Sequence, residues 1–153
     1  MRIIIISDSH GNKKSIDQIF KTEKFDYFFF LGDGLGDLGN YIYLDNVFAV
    51  SGNCDFFSTV ENENVVVLDN KKIFYTHGNK YGVKSSLENI INAGKEIGAD
   101  FVLFGHTHKK VAIEQDGVVT INPGSFHKSA DGISRGLILN IDEKVSIESL
   151  EIK

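Results

Sequence analysis

The sequence predicts an α/β fold, two mixed β-sheets packed face to face with helices outside, and three observations carry that expectation. Five short runs, 3–6, 28–31, 47–50, 73–76 and 101–104, are almost wholly apolar, as strands buried on both faces are. Helical spacing separates several of them and so builds a β-α-β opening. After Lys110 the pattern changes to hairpins, which adds an antiparallel tail. Mixed strand directions favour an α/β sandwich over one doubly wound sheet.

The first run is followed by Asn12, a residue suited to an N-cap, and then by Ile16, Ile19 and Phe20 at helical spacing. A second strand over 26–31 completes the β-α-β opening. Segment 35–44 is short, with helical character, and returns the chain to a third strand over 47–50. Runs 65–68 and 73–75 flank Asp69-Asn70-Lys71-Lys72, an Asp/Asn turn that makes the pair a hairpin. Ser85 and Glu88 have capping-box spacing, and Leu87, Ile90, Ile91 and Ile97 line one face of what reads as the longest helix. Beyond Gly98 the chain re-enters the sheet. Two hairpins follow, 111–114 with 118–121 around Asp116-Gly117, and 137–141 with 145–150 around Asp142-Glu143-Lys144. Stretch 122–134, which holds the only proline, Pro123, is the longest loop and a candidate border for a site.

A chain of 153 residues with 42% hydrophobic content has room for one domain, spanning 1–153, with a full core. Its formal charge of -5, from 21 acids against 16 bases without a run of Lys or Arg, offers no footprint for long nucleic acid or an anionic membrane. The first apolar run meets Asp8 directly after Ser7, too soon for a signal-peptide core or a membrane span. The single cysteine, Cys54, permits no intramolecular disulfide, which fits a reducing compartment. A cytoplasmic location is therefore expected. The expected partner is a small molecule, with self-association left open.

Each apolar run ends in polar residues able to ligate a metal: Ser7-Asp8-Ser9-His10, Gly32-Asp33, Gly52-Asn53, His77-Gly78 and Gly105-His106-Thr107-His108. Taken singly, Asp-x-His and Gly-Asp are common in turns and caps, and even Gly-His-x-His arises by chance. Together they are another matter, because four of the five His fall at strand ends. Open α/β sheets gather ligands beyond the carboxyl ends of parallel strands, so pairing of the five runs in one sheet would bring Asp8, His10, Asp33, Asn53, His77, His106 and His108 to one rim. So many nitrogen and oxygen donors exceed the needs of one ion and suit two divalent ions sharing a carboxylate.

In this order the motifs resemble those of the calcineurin-like metallophosphoesterases. The chain length, Asn122-Pro123-Gly124-Ser125 and Cys54 after Asn53 resemble the small single-domain prokaryotic phosphodiesterase branch. The resemblance spans Met1 to about Ser125 and implies a four-layer αββα sandwich. Carried over residue by residue, it gives Asp8, His10, Asp33 and His108 to one metal and Asp33, Asn53, His77 and His106 to the other, with Asp33 bridging. Asp33, Asn53 and His10 are then the expected catalytic residues. Asn53, Cys54 and His127 are the expected substrate contacts.

The donor types suit Mn, Fe, Zn or Ni over Ca, with Mn the first expectation, and no thiolate cluster points to a structural zinc site. Two such ions about 4 Å apart would supply a bridging hydroxide for in-line attack on phosphorus. The implied activity is hydrolysis of a small phosphodiester without a covalent intermediate. A phosphomonoesterase or nucleotide pyrophosphatase with the same metals is the near alternative. A binding scaffold is the alternative of another class, because the resemblance takes in retromer-type subunits that keep the fold and have lost catalysis.

Many relatives implied by the resemblance have His where this chain has Cys54, assigned to the leaving oxygen. A neutral thiol is a weak donor, so leaving-group assistance is in question, and the thiol reads as a small buried hydrophobe behind the metals. Asp55 is open between orienting a ligand and lying solvated in a loop. Ser125 and Arg135 are either phosphate contacts or, respectively, a structural turn and a surface ion pair. The glycines beside the ligands, Gly32, Gly52, Gly78 and Gly105, would let the backbone turn and the substrate approach.

Overall fold

The computed structural model describes residues 1–153. The first sheet contains β1 (Arg2–Ile6), β2 (Tyr27–Phe30), β3 (Val47–Ala49), β9 (Ser134–Ile141) and β10 (Val145–Ile152) in the order β10-β9-β1-β2-β3. The second contains β4 (Glu63–Leu68), β5 (Lys71–Thr76), β6 (Phe101–Leu103), β7 (Lys110–Gln115) and β8 (Val118–Pro123) in the order β4-β5-β6-β8-β7. In each sheet three adjacent strands run parallel, β1-β2-β3 and β5-β6-β8; β9, β4 and β7 pair antiparallel to them, and β10 pairs antiparallel to β9 at the edge. Both sheets are mixed, as the hairpin tail implied. The five apolar runs do not share one sheet, however; three lie in the first and two in the second. Face-to-face packing gathers their carboxyl ends instead.

Three apolar layers hold this arrangement together. Between the sheets lie Ile3, Ile5, Phe29 and Leu31 from one side and Ile73, Tyr75, Leu103 and Ile121 from the other. Ile4, Ile6, Phe28 and Phe30 point the opposite way, onto Ile16 and Ile19 of helix α1 (Lys13–Thr22). Phe74, Val102 and Phe104 meet Ile90 and Ile91 of helix α2 (Glu88–Ile97). The resulting order is helix, sheet, sheet, helix. Because successive strand residues face different apolar layers, both faces must be hydrophobic, which is why the runs do not alternate with polar residues. Gly94 lets α2 approach closely, since a side chain there would run into Val102.

Local signals held to different degrees. Asp69 and Asn70 both have positive φ, 46° and 63°, and form a two-residue hairpin turn, with Lys71 and Lys72 already in β5. Asp116 and Gly117 do the same at 53° and 79°. Asn12 occupies the N-cap position of α1, but its amide caps nothing and donates instead to the Phe126 carbonyl and the Ser134 hydroxyl. The capping box is not formed either: α2 begins at Glu88, whose N–H donates to Ser86 Oγ, three residues after Ser85. Both helices have 10 residues, so α2 is not the longer. Segment Leu35–Tyr43 is 3₁₀-helical with a kink at Gly39, and β8 extends into the expected 122–134 loop as far as Pro123. No helix is long and apolar enough to cross a membrane.

Candidate metal centre

At the carboxyl ends of the strands the backbone turns through an unusual conformation. Asp8, His10, Asp33, His106 and His108 have φ of 55°, 44°, 61°, 67° and 59°, the left-handed region that non-glycine residues avoid. Each such residue costs about 1–2 kcal/mol. That strain persists because a buried strand anchors the start of each turn, and it swings the side chains off the strand axis toward one another.

Two groups result. Ligand atoms of Asp8, His10 and His108 lie within 4.8 Å of one another, and so do those of Asp33, His77 and His106. In the first, His108 Nε2 is 3.1 Å and His10 Nε2 3.9 Å from Asp8 Oδ1. In the second, His77 Nε2 is 3.3 Å from Asp33 Oδ2 and 3.2 Å from His106 Nδ1. Asn53 joins the second group, its Oδ1 3.0 Å from His77 Nε2. The structure thus brings all seven expected ligands to two adjoining clusters. Asp33 clusters with His77 and His106 only.

Each carboxylate has one oxygen secured and the other turned into the cluster. Asp8 Oδ2 accepts from Ser7 Oγ at 2.5 Å and from the His106 N–H at 3.2 Å, which leaves Oδ1 for the imidazoles. Asp33 Oδ1 accepts from the Cys54 N–H at 2.8 Å, which leaves Oδ2. Gly52 and Gly105 make this possible, because a side chain at either would collide with Asp33 Oδ1 or Ser7 Oγ respectively. These two glycines make room for the ligands more than for a substrate.

The His77 ring shows whether the donor set fits a metal. Its Nδ1 lies 2.6 Å from the Leu31 carbonyl, and a carbonyl only accepts, so Nδ1 carries the hydrogen. In the neutral ring Nε2 then presents a lone pair to Asn53 Oδ1, Asp33 Oδ2 and His106 Nδ1. A buried lone pair facing the Asn53 and Asp33 oxygens calls for a cation or an extra proton. Carboxylate, imidazole and amide donors around such a point fit divalent Mn, Fe, Zn or Ni.

Without metal, protons take that role. Burial works against the His77 imidazolium, but Asp33 and the Leu31 carbonyl outweigh it and raise its pKa. Burial likewise works against the Asp33 carboxylate, yet His77 and the Cys54 N–H lower its pKa to about 2. The raised group stabilises the fold fully below about pH 6.5 and loses that contribution as pH rises through its folded value; the lowered one contributes above about pH 3.8 and loses it as pH falls toward 2. In chelator, the thermal midpoint is therefore expected to decline as pH rises above about 6.5, and bound metal to restore it. A metal-free midpoint that rises over the same interval would contradict this.

The shaping residues are less visible in sequence. The Asp55 carboxylate accepts from four backbone N–H groups, those of Asp33, Gly34, Leu35 and Gly52, at 2.7–2.9 Å. It ties the Asp33 turn to the Asn53 turn and is not a solvated loop acid. Asp37 accepts from Ser9 Oγ and the Gly11 N–H, bracing the Asp8–His10 turn, and buried Asn122 donates to the Gly105 carbonyl and Thr107 Oγ1, bracing the His106–His108 turn. Sequence reasoning missed Asp37 and saw Asn122 only as part of a motif. We expect Asp55→Ala to destabilise the protein by on the order of 3 kcal/mol, through orphaned N–H groups, and to weaken metal binding. Equilibrium unfolding with and without metal measures both effects; a change below about 0.5 kcal/mol would show water replacing the carboxylate without loss.

Cys54 is exposed and does not lie buried behind the metals; its backbone N–H holds Asp33, so the residue sits at the site's open side. Burial of the thiol group, then the nearby Asp33 carboxylate, raises its pKa and keeps it protonated at neutral pH. Ser125 Oγ donates to the Asp8 carbonyl, a structural bond, and Arg135 pairs with Asp131 and Glu151. His127 is exposed and joins neither ligand cluster. Phe56 and Phe57, next along from Asp55, stand fully in solvent and were not anticipated.

Comparison with known proteins agrees with this geometry. Residues 1–144 match the family model described as the calcineurin-like phosphoesterase superfamily domain. The probable metallophosphoesterase YsnB of Bacillus subtilis is 34% identical over 82% of this chain and 75% of its own. The phosphodiesterase MJ0936 of Methanocaldococcus jannaschii is 32% identical over 94% and 95%. Vacuolar protein sorting-associated protein 29 of Schizosaccharomyces pombe is 30% identical over 95% and 80%. Among solved structures, a conserved protein of Streptococcus pneumoniae described as a predicted phosphoesterase superposes with a TM-score of 0.83 at 24% identity, covering 97% of this chain and 88% of that one.

Proposed function

The chain belongs to the calcineurin-like phosphoesterase superfamily, and from that premise we propose that it is a dinuclear metal-dependent phosphodiesterase acting on a small phosphodiester. The observation that carries the reading is the pair of adjoining ligand clusters, each with a carboxylate oxygen freed for metal by secured hydrogen bonds on its twin. Asp8, His10, Asp33 and His108 would hold one ion, and Asp33, Asn53, His77 and His106 the other. Asp33 would be shared between them, with Oδ1 held by the Cys54 N–H. When bound, two divalent ions, with Mn the first choice, would supply Lewis acidity to generate hydroxide near neutral pH and to offset charge building on phosphorus.

The chain's own residues do the rest. Asp8 and Asp33, buried and hydrogen-bonded, hold the donors at fixed spacing. His10, exposed beside Asp8, and Asn53, exposed beside His77, face the side from which a substrate enters. The Cys54 thiol, its pKa raised by burial and the nearby Asp33 carboxylate, is not set up as a nucleophile. A metal-reconstituted panel of matched phosphomonoesters and phosphodiesters, with metal counted in the same sample, tests the proposal. Diester turnover that depends on two bound metals is expected. Full activity in metal-free protein would overturn the mechanism, and preference for monoesters or pyrophosphate bonds would replace the substrate class.

The exposed, neutral Cys54 leads to a sharper expectation. A thiol gives a leaving alkoxide little help, so rates should depend steeply on the leaving group's pKa, with aryl diesters cleaved far faster than alkyl ones. Cys54→Ala should change turnover less than about threefold, a small effect on the activation barrier. Cys54→His should accelerate poor leaving groups selectively. A loss of several orders of magnitude in a folded, metal-loaded Cys54→Ala variant would make the thiol a catalytic participant.

A further inference from the structure

We propose that the cleft beside His108 binds a second phosphate of the substrate, so that the favoured substrate is a small phosphodiester bearing a further terminal phosphate. The inference rests on the phosphodiesterase reading above and narrows it. The cleft has a volume of about 370 Å³ and is lined by His108, Lys110, Ser125, His127, Ser129 and Arg135 together with backbone at Pro123 and Gly124. No carboxylate lines it, although acids outnumber bases 21 to 16 in the chain. Of the cleft's two cations Arg135 is paired with Asp131 and Glu151, so the local attraction for anions, which the net charge would not suggest, comes from Lys110.

The cleft and the metal clusters share a wall. His108 presents Nε2 to Asp8 at 3.1 Å and also lines the cleft, so a molecule at the clusters can extend past that ring without leaving the protein surface. Lys110 is the cation free to receive it. Its Nζ donates to Ser149 Oγ at 3.0 Å and forms no ion pair, whereas Arg135 is already matched by Asp131 and Glu151. The floor is rigid: Lys110 pairs with Pro123 across the β7–β8 ladder, and Ser125 is tied to the Asp8 carbonyl. A volume at the small end of ligand sites suits one anionic group and its attachment, not a length of nucleic acid.

The test uses two substrates that differ by one phosphate: thymidine 5′-(p-nitrophenyl phosphate) and the same ester carrying a 3′-phosphate. With metal-loaded wild type, kcat/KM is expected to be at least about tenfold higher for the 3′-phosphorylated ester, mostly through KM, as one charge-assisted hydrogen bond allows. Lys110→Gln should abolish that preference and Lys110→Arg should keep it. Independently, inorganic phosphate added to zinc-loaded protein should shift the Gly124 and Ser129 amide resonances in wild type and not in Lys110→Gln. Equal kcat/KM for the two esters, a preference that survives Lys110→Gln, or amide resonances that phosphate leaves unmoved would overturn the proposal. If neither ester is cleaved by protein holding its metals, the phosphodiesterase reading fails, while the amide shifts still decide whether the cleft takes phosphate.

Discussion

Asp33→Asn is expected to lower diester turnover by about a thousandfold or more, which corresponds to about 4 kcal/mol of barrier, and to cost the protein metal at both positions. The residue is nearly isosteric, so the effect arises from hydrogen-bond directions. At the Oδ1 position the group must accept from the Cys54 N–H, so an asparagine must place its oxygen there and its NH₂ where Oδ2 stood. An amide nitrogen offers no lone pair to a metal and would point hydrogens at the ligand site. The opposite flip sets two donors against each other at Cys54, in a site where Asp33 is almost completely buried. Either way the negative charge is gone, although in the native protein it is retained down to about pH 2. Steady-state turnover and metal stoichiometry on the same folded sample measure the outcome. Retention of both metals with wild-type turnover would remove Asp33 from the centre.

Much of this centre was legible because its chemistry is concentrated at strand ends. Continuous apolar runs such as 3–6 and 28–31 read as strands covered on both sides, and each delivers its next polar residue to the same end of the molecule. That logic placed Asp8, Asp33, His77 and the His106–His108 pair without knowing how the strands divide between sheets. The division itself was hidden, since runs of equal hydrophobicity do not reveal which neighbour they hydrogen-bond to. Hidden too were residues whose role depends on contacts distant in sequence. Asp55 gathers N–H groups from residues about twenty positions away, and Asn12 reaches Phe126 and Ser134 rather than its own helix. A local reading of Asn12 or of Ser85 sees the cap that such residues usually make, and tertiary partners outbid it. The left-handed backbone at five candidate ligands was equally invisible, because no glycine occupies those positions to signal it.

His106→Ala and His108→Ala are expected each to reduce turnover by about a hundred- to ten-thousandfold, with one metal lost per variant and not both. The two rings belong to different clusters, His106 beside His77 and Asp33, His108 beside Asp8 and His10, so each truncation opens one cluster and spares the other. His108 is exposed and His106 only half-buried, and neither belongs to the apolar layers, so the fold should survive both changes. The experiment also separates an enzyme from a scaffold, a reading that similarity to a vacuolar protein sorting-associated protein keeps in view. A scaffold needs a surface and not a reactive metal pair, so wild-type protein that holds metal yet hydrolyses none of a broad ester panel would favour that reading. A dinuclear enzyme would tie the two observables together: each histidine removed would cost one ion, and loss of either ion would stop the same reaction. Wild-type turnover and metal content in both variants would show that the clusters are not ligand sets.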